Sequence, residues 1–265
     1  MPVGQDGPDR TFRTVTPLGD GHGTGERRHS ACERRKPRLG SVSAGMAPDF
    51  RRPVVGISVT LQDGQYRSRT EYSKAVWEAG GTPIHLTCQT ESIPHYLELC
   101  DAFVTTGGDD PDTTVFGSPP HPKATLIDPM RQDFELALLE SLNATDHPLL
   151  AICLGMQLFS LVHGGTLEQY LPDVLESAAD HWDGRSHLIS GIIGEGLVHS
   201  HHKQAMSSAG SLEIIARSGD DLIEAVRDVG RSSRVGVQWH PERTEEHRFG
   251  QGLFEALVRS ASAQA

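Results

Sequence analysis

The chain has 265 residues, 37% of them hydrophobic and 22% charged, and a formal net charge of −11. That length suffices for one α/β domain with a sizeable core, or for one domain plus an appendage. The acidic balance argues against a nucleic-acid partner, which needs a basic face, and no apolar run approaches the ~18–20 residues of a membrane span.

Residues 1–45 differ in kind from the rest. They are rich in Gly, Arg, Ser, Thr and Pro, carry eight Lys/Arg against five Asp/Glu, and show neither helical nor strand periodicity. Such a stretch buries too little apolar surface to offset its ordering entropy, so it reads as an unstructured extension ahead of a domain over 46–265. Met46 is a candidate natural start. The polar opening lacks the apolar core of a secretory signal, and a cytoplasmic location is expected.

From Pro53 onward strands and helices alternate, which predicts a mostly parallel sheet covered on both faces. Pro53–Thr60 reads as a buried first strand. A helix follows over Thr70–Ala79, with Tyr72, Val76 and Ala79 on one side and Gly80-Gly81 ending it. Thr82–Thr87 is a second strand, Ile93–Leu99 a second helix and Asp101–Thr106 a third strand running into Gly107-Gly108. The repeat of Met130, Phe134 and Leu138 predicts a helix over Pro129–Leu142. Pro148–Ile152 is a fourth strand and Gly155–His163 the helix after it. Gly164–Gly194 suggests short antiparallel strands. Arg234–Trp239 is a late buried strand, Glu245–Arg248 a solvated helix start, and Phe249–Ser260 a closing helix.

Four cysteines stand far apart at 32, 88, 100 and 153, without a CxxC pair. This spacing disfavours a disulfide framework or a thiolate zinc site. Cys88 and Cys100 flank apolar segments and read as inert buried thiols; Cys32 reads as incidental. Cys153 is different, because it stands between a buried strand and a helix. That arrangement lifts a nucleophile out of the sheet, aims a positive helix end at it and frees the Leu154 N–H for an oxyanion. Small residues, Ala151 and Gly155, stand two before and two after it. At the end of the late strand, Pro241 separates His240 from Glu242, and residues two apart on extended chain share a side. A carboxylate there would fix the imidazole tautomer and leave its other nitrogen for a thiol. Thr105-Thr-Gly-Gly-Asp-Asp-Pro111 adds a glycine pair through which backbone could approach a ligand.

These segments also resemble a known family. Met46–Ala265 is similar to the class I glutamine amidotransferase-like superfamily and, within it, the γ-glutamyl-γ-aminobutyrate hydrolase (C26 peptidase) family. Ala151-Ile-Cys-Leu-Gly-Met-Gln157 followed by Gly164-Gly-Thr-Leu-Glu-Gln-Tyr170 looks like the family's cysteine segment. Val198–Met206 looks like its "V-N-S-x-H-H-Q-A-V", and Gly236–Glu242 carries "G-V-Q-W-H-P-E" complete. Arg131–Glu135 resembles its "R-D-x-E" helix, with one residue between Arg and Asp. The chain departs from the pattern at Leu154, where hydrolases usually carry arginine and ammonia-supplying glutaminases carry leucine. It departs again at Ala151, where glycine is usual, and the stretch between Leu171 and Val198 is shorter.

The resemblance implies a flavodoxin-like three-layer α/β sandwich of class I glutamine amidotransferase type. It implies Cys153 as nucleophile, His240 as base and Glu242 as its orienting carboxylate, with oxyanion donors at the amides of Gly108 and Leu154. It also places γ-glutamyl recognition at Gln157 and the stretch Ser200, His201 and His202. The expected substrate is a γ-glutamyl amine, with no cofactor, no nucleic acid and no membrane involved, and with room for a homodimer. A glutaminase subunit feeding ammonia to a synthetase, and a non-enzymatic γ-glutamyl sensor or scaffold, stay open as alternatives. His199, His201 and His202, with His181 and His187 nearby, raise the question of zinc. No HExxH or cysteine partner accompanies them, and no metal is expected.

Overall fold

The computed structural model describes residues 51–264, so the extension expected over 1–45 and Cys32 lie outside the described residues. The first strand, β1 (Val54–Ser58), is followed by a small hairpin of β2 (Thr60–Gln62) and β3 (Gln65–Arg67). Helix α1 (Thr70–Glu78), strand β4 (Thr82–Leu86), helix α2 (Ile93–Leu99) and strand β5 (Ala102–Thr105) come next. Helix α3 (Pro129–Leu142) then leads to β6 (Leu149–Ile152) and helix α4 (Leu154–Val162). The second half is richer in strands: β7 (Thr166–Glu168), β8 (Arg185–Gly191), β9 (Gly194–Ser200), β10 (Ala205–Ser208), β11 (Glu213–Ser218), β12 (Ile223–Arg227) and β13 (Arg234–Val237). Helix α5 (Gln251–Ser262) closes the chain.

The main sheet runs β4-β1-β5-β6-β13-β12-β11-β8-β9. Neighbours from β4 to β13 are parallel, and from β13 to β9 they are antiparallel. The side-chain period of two divides the parallel strands between two cores. Phe103, Leu149 and Ala151 point to one face, under Phe134 and Leu138 of α3 and Leu158 and Phe159 of α4. Val104, Leu150 and Ile152 point to the other, under Tyr72 and Val76 of α1 and Phe254 and Leu257 of α5. This is the expected three-layer sandwich, and it sets the strand ends of β5, β6 and β13 side by side. Ligands bind at such carboxyl edges. Among the described residues no helix is long and apolar enough to cross a membrane.

Some element readings need correction. Met130 is half exposed, because the buried side of α3 turns through Arg131, Phe134, Glu135 and Leu138 instead. Helix α5 starts at Gln251, since Phe249 is used as a buried plug whose carbonyl accepts from Trp239 Nε1 at 2.8 Å. The segment from Gly194 to Arg227 forms four strands that the sequence pattern does not announce.

Candidate active site

Strand β6 ends at Ile152, and Cys153 caps α4 with φ +53° and ψ −108°. A non-glycine residue in that region costs on the order of 1–3 kcal/mol, and such strain gathers where a side chain must be presented. The turn is tight: a Cβ on Gly155 would sit 2.6 Å from the Thr105 carbonyl oxygen. Cys153 is 5% exposed, and its N–H donates to Val237 O at 2.8 Å, which ties the β6 end to β13. Beneath the sulfur lies Gln238, fully buried, with Nε2 3.7 Å from Cys153 Sγ.

His240 follows β13 and is held by its own N–H, which donates to His199 O at 2.9 Å. Its Nδ1 lies 2.8 Å from Glu242 Oε1, and the Glu242 side chain has no solvent exposure. The pair does not meet by strand alternation. Pro241 opens one turn of 3₁₀ helix over Pro241–Arg243, and that turn swings the carboxylate back onto the ring. Burial acts to lower the His240 pKa, but the Cys153 sulfur and then Glu242 outweigh it, and the imidazole is raised from 6.5 to about 9. His240 and Cys153 approach each other across Gly107, where a Cβ would lie 2.9 Å from His240 Cε1 and 3.5 Å from Cys153 Cβ. Glycine is what lets the two side chains meet there.

Gly108 packs against the Leu154 side chain: a Cβ on Gly108 would lie 2.9 Å from Leu154 Cδ2. Among the described residues neither amide donates a hydrogen bond, Leu154 being the first residue of its helix. The loop that carries Gly108 is fixed from below by Arg131. This arginine is 1% exposed, donates to the carbonyls of Thr106 at 3.2 Å and Gly107 at 3.1 Å, and pairs with Glu135 at 2.9 Å. The Gly107 N–H meets the Tyr72 hydroxyl at 3.2 Å; burial first, and the Glu242 charge second, push that phenol well above 10.

Cys153 lies where two adjoining cavities meet, of about 450 and 460 Å³, which share Gly108, Asp109 and His201. The first is walled by Gln157, Trp182, Lys203 and Gln204. The second is walled by His240, Tyr72, Arg67, Arg69 and Arg243.

The residues expected for substrate binding separate. Gln157 and His201 face the cleft. Ser200 does not: its hydroxyl donates to His181 O at 2.7 Å, because it ends an inward-facing position of β9. His202 is buried, with Nδ1 2.7 Å from Gln204 O, and forms part of the wall of the first cavity. Gln238 and Arg131 stand in the family-like motifs without a role; for Gln238 a polar residue at the end of an otherwise apolar strand was the available signal.

The profile of the peptidase C26 family matches residues 53–242, from the start of β1 through the carboxylate that holds His240. The chain belongs to the peptidase C26 family. Among its relatives is Rv2859c of Mycobacterium tuberculosis, 34% identical over 241 residues that cover 81% of this chain and 76% of that one. The γ-glutamyl-γ-aminobutyrate hydrolase PuuD of Escherichia coli is 28% identical over 226 residues, 71% of this chain and 84% of PuuD. A solved glutamine amidotransferase of Thermotoga maritima superposes with a TM-score of 0.56 at 13% identity, covering 80% of this chain and 99% of that one, and so shares the fold. Membership in C26 makes this chain a hydrolase of the glutamine amidotransferase-like group.

Proposed function

We propose that the chain hydrolyses γ-glutamyl amide bonds through a γ-glutamyl thioester on Cys153. The observation that carries this reading is a strained strand-end cysteine and His240, itself paired with Glu242, where the two cavities meet, with the undonated amide of Gly108 in their lining and that of Leu154 next to the cysteine along the chain. Cys153, as thiolate, attacks the γ-carbonyl, and the Gly108 and Leu154 amides donate to the oxyanion. The C–N bond then breaks as His240 gives its proton to the departing amine. Water attacks the thioester, His240 takes a proton from it, and glutamate leaves with the thiolate restored. Glutamate release from a panel of γ-glutamyl amines and glutamine, by the isolated chain, tests the proposal. A sensor or scaffold would release none.

His240 assigns the two halves of the cleft, because the leaving amine must lie on its side. The amine therefore occupies the cavity rimmed by Arg67, Arg69 and Arg243, and the glutamyl group the cavity with Gln157, Asp109 and Lys203. Arginines at the far end suit an amine that carries its own carboxylate, such as γ-aminobutyrate. We expect kcat/KM for γ-glutamyl-γ-aminobutyrate to exceed that for an uncharged or cationic amine of equal length by about five- to tenfold, the scale of a partly exposed ion pair. A preference for the cationic amine would reverse the assignment of the cavities.

One residue favours a second reading. Leu154 matches the glutaminases that supply ammonia to a synthetase, and its side chain is buried in the core rather than in the cleft. Under that reading glutamine outruns every γ-glutamyl amine in the panel.

The raised His240 pKa fixes the sign of the pH response. The proton His240 must deliver is held through neutral pH and lost only near pH 9, so kcat/KM should fall on the alkaline side at about 9. Its contribution to folding has the same sign: complete below 6.5 and lost as pH rises through about 9. A pH profile with its alkaline limb already near 6.5 would contradict the pairing with Cys153.

A further inference from the structure

Away from the sulfur, four side chains from separate elements meet in the antiparallel half of the sheet. Glu224 comes from β12, His187 from β8, His181 from the end of the 3₁₀ turn Glu176–His181, and His202 from the connection between β9 and β10. Glu224 is wholly buried. Its Oε1 lies 3.2 Å from His187 Nε2 and 3.5 Å from both His181 Nδ1 and His202 Nε2.

None of these approaches has hydrogen-bond geometry. His181 Nδ1, both ring nitrogens of His187, His202 Nε2 and both Glu224 oxygens are buried without a hydrogen-bond partner. Such groups are few in folded proteins, and six of the fourteen such atoms among the described residues cluster about this one point. The outward nitrogens explain which way the lone pairs face. His181 Nε2 lies 2.9 Å from Asp220 Oδ2, and Asp220 is itself held by the hydroxyls of Ser177 and Ser218. His202 Nδ1 lies 2.7 Å from the Gln204 carbonyl, which can only accept. The His181 and His202 rings therefore carry their protons outward, while His187 has no partner on either nitrogen. In the neutral rings, the remaining lone pairs face a carboxylate, acceptor against acceptor.

We propose that His181, His187 and Glu224, with His202 as the fourth ligand, form a closed tetrahedral site for a divalent transition-metal ion, with zinc the best match. A zinc shell with bonds of about 2.0–2.1 Å sets neighbouring ligand atoms about 3.3 Å apart, and the carboxylate–imidazole spacings of 3.2–3.5 Å bracket that value. The ligand atoms of His181, His187 and Glu224 all lie within 4.8 Å of one another; His202 Nε2, 3.5 Å from Glu224 Oε1, stands just outside that group and would close it on binding. Three imidazoles and one carboxylate suit zinc over magnesium or calcium, which seek oxygen. The carboxylate behind His181 and the carbonyl behind His202 are the outer partners that metal-binding histidines ordinarily have.

The site replaces the expectation of no metal. Of the histidines at 199, 201 and 202 only His202 takes part, since His201 faces the cleft and the His199 ring stands 6.3 Å from that of His240. Glu224, 22 residues beyond His202, is the ligand that spacing alone concealed. The ion would pin His181 next to Trp182 and His202 next to Lys203, so it would fix one wall of the glutamyl cavity. The inference stands whether or not the chain cleaves γ-glutamyl amides.

The test uses the full chain, purified from zinc-supplemented culture. Elemental analysis should find about one zinc per chain. Stripping with a chelator should lower Tm by about 5–10 °C, and zinc at a hundredfold excess over Kd should restore it. Cobalt(II) loaded into the stripped wild-type protein should give the intense visible bands of a tetrahedral site, a readout that needs no variant to fold. His187→Ala and the isosteric Glu224→Gln should each lose the metal and the cobalt bands. A stripped protein that takes up neither zinc nor cobalt, with Tm unmoved, would overturn the proposal in favour of a proton-bridged cluster. Zinc retained by both variants would overturn it too, by placing the ion elsewhere.

Discussion

Replacing Cys153 by alanine should abolish glutamate release, with a loss in kcat/KM of at least about 10⁴-fold, while the protein stays folded. The sulfur is the thiol held at the junction of the two cavities, and alanine keeps the Cβ that the elbow already accommodates. Two further readouts separate loss of chemistry from loss of structure. The His240 pKa should fall from about 9 in the variant, since Cys153 is the largest influence raising it and burial then acts with less opposition; histidine NMR titration measures this. In the wild type, an electrophilic glutamine analogue should label Cys153 before Cys88 or Cys100. Burial pushes those two thiols to about 11 and about 12, so neither offers appreciable thiolate at neutral pH. Another cysteine labelled first, or glutamate release persisting in Cys153→Ala, would remove Cys153 as the nucleophile.

The half of the molecule that carries the sulfur was legible in the sequence because its strands are buried on both faces. Leu149–Ile152 and Ala102–Thr105 are continuous apolar runs that end at Cys153 and near Gly107-Gly108, and helices with clear periodicity or terminal glycines separate such runs. The antiparallel half was not. Strand β12 reads Ile-Glu-Ala-Val-Arg, and a glutamate in a strand ordinarily marks a solvent face, whereas Glu224 is wholly buried. Its burial depends on His181, His187 and His202, which belong to other strands and turns, so no local pattern could reveal it. The same limit governs Ser200 and His202. Their motif stands beside the cleft in sequence, but alternation along β9 sends Ser200 inward, and the turn after it buries His202 in the cavity wall while His201 faces both cavities. Arg131 could be found as part of a motif, yet its grip on the Thr106 and Gly107 carbonyls depends on a fold that brings α3 beneath the β5 loop.

His240→Asn should be nearly as damaging as loss of the sulfur, by about 10²–10⁴-fold in kcat/KM. The imidazole has two tasks in the proposed cycle: it sustains the thiolate, and it delivers the proton without which the amine is a poor leaving group. Gln238 Nε2 still lies 3.7 Å from the sulfur when the imidazole is gone, but the amine loses the proton donor that the cycle assigns to it. The defect should therefore be largest for amides of strongly basic amines and smaller for an activated γ-glutamyl anilide, whose leaving group needs little help. Glu242→Gln is expected to do less, about tenfold to a hundredfold, because a thiol needs its base less than a serine does. It should also move the alkaline limb of the pH profile down from about 9, since the carboxylate at 2.8 Å is part of what holds the imidazolium. A Glu242→Gln protein as inactive as Cys153→Ala, though folded, would mean that the carboxylate does more than orient the ring. Equal losses for anilide and alkyl amide in His240→Asn would deny the ring its role as proton donor.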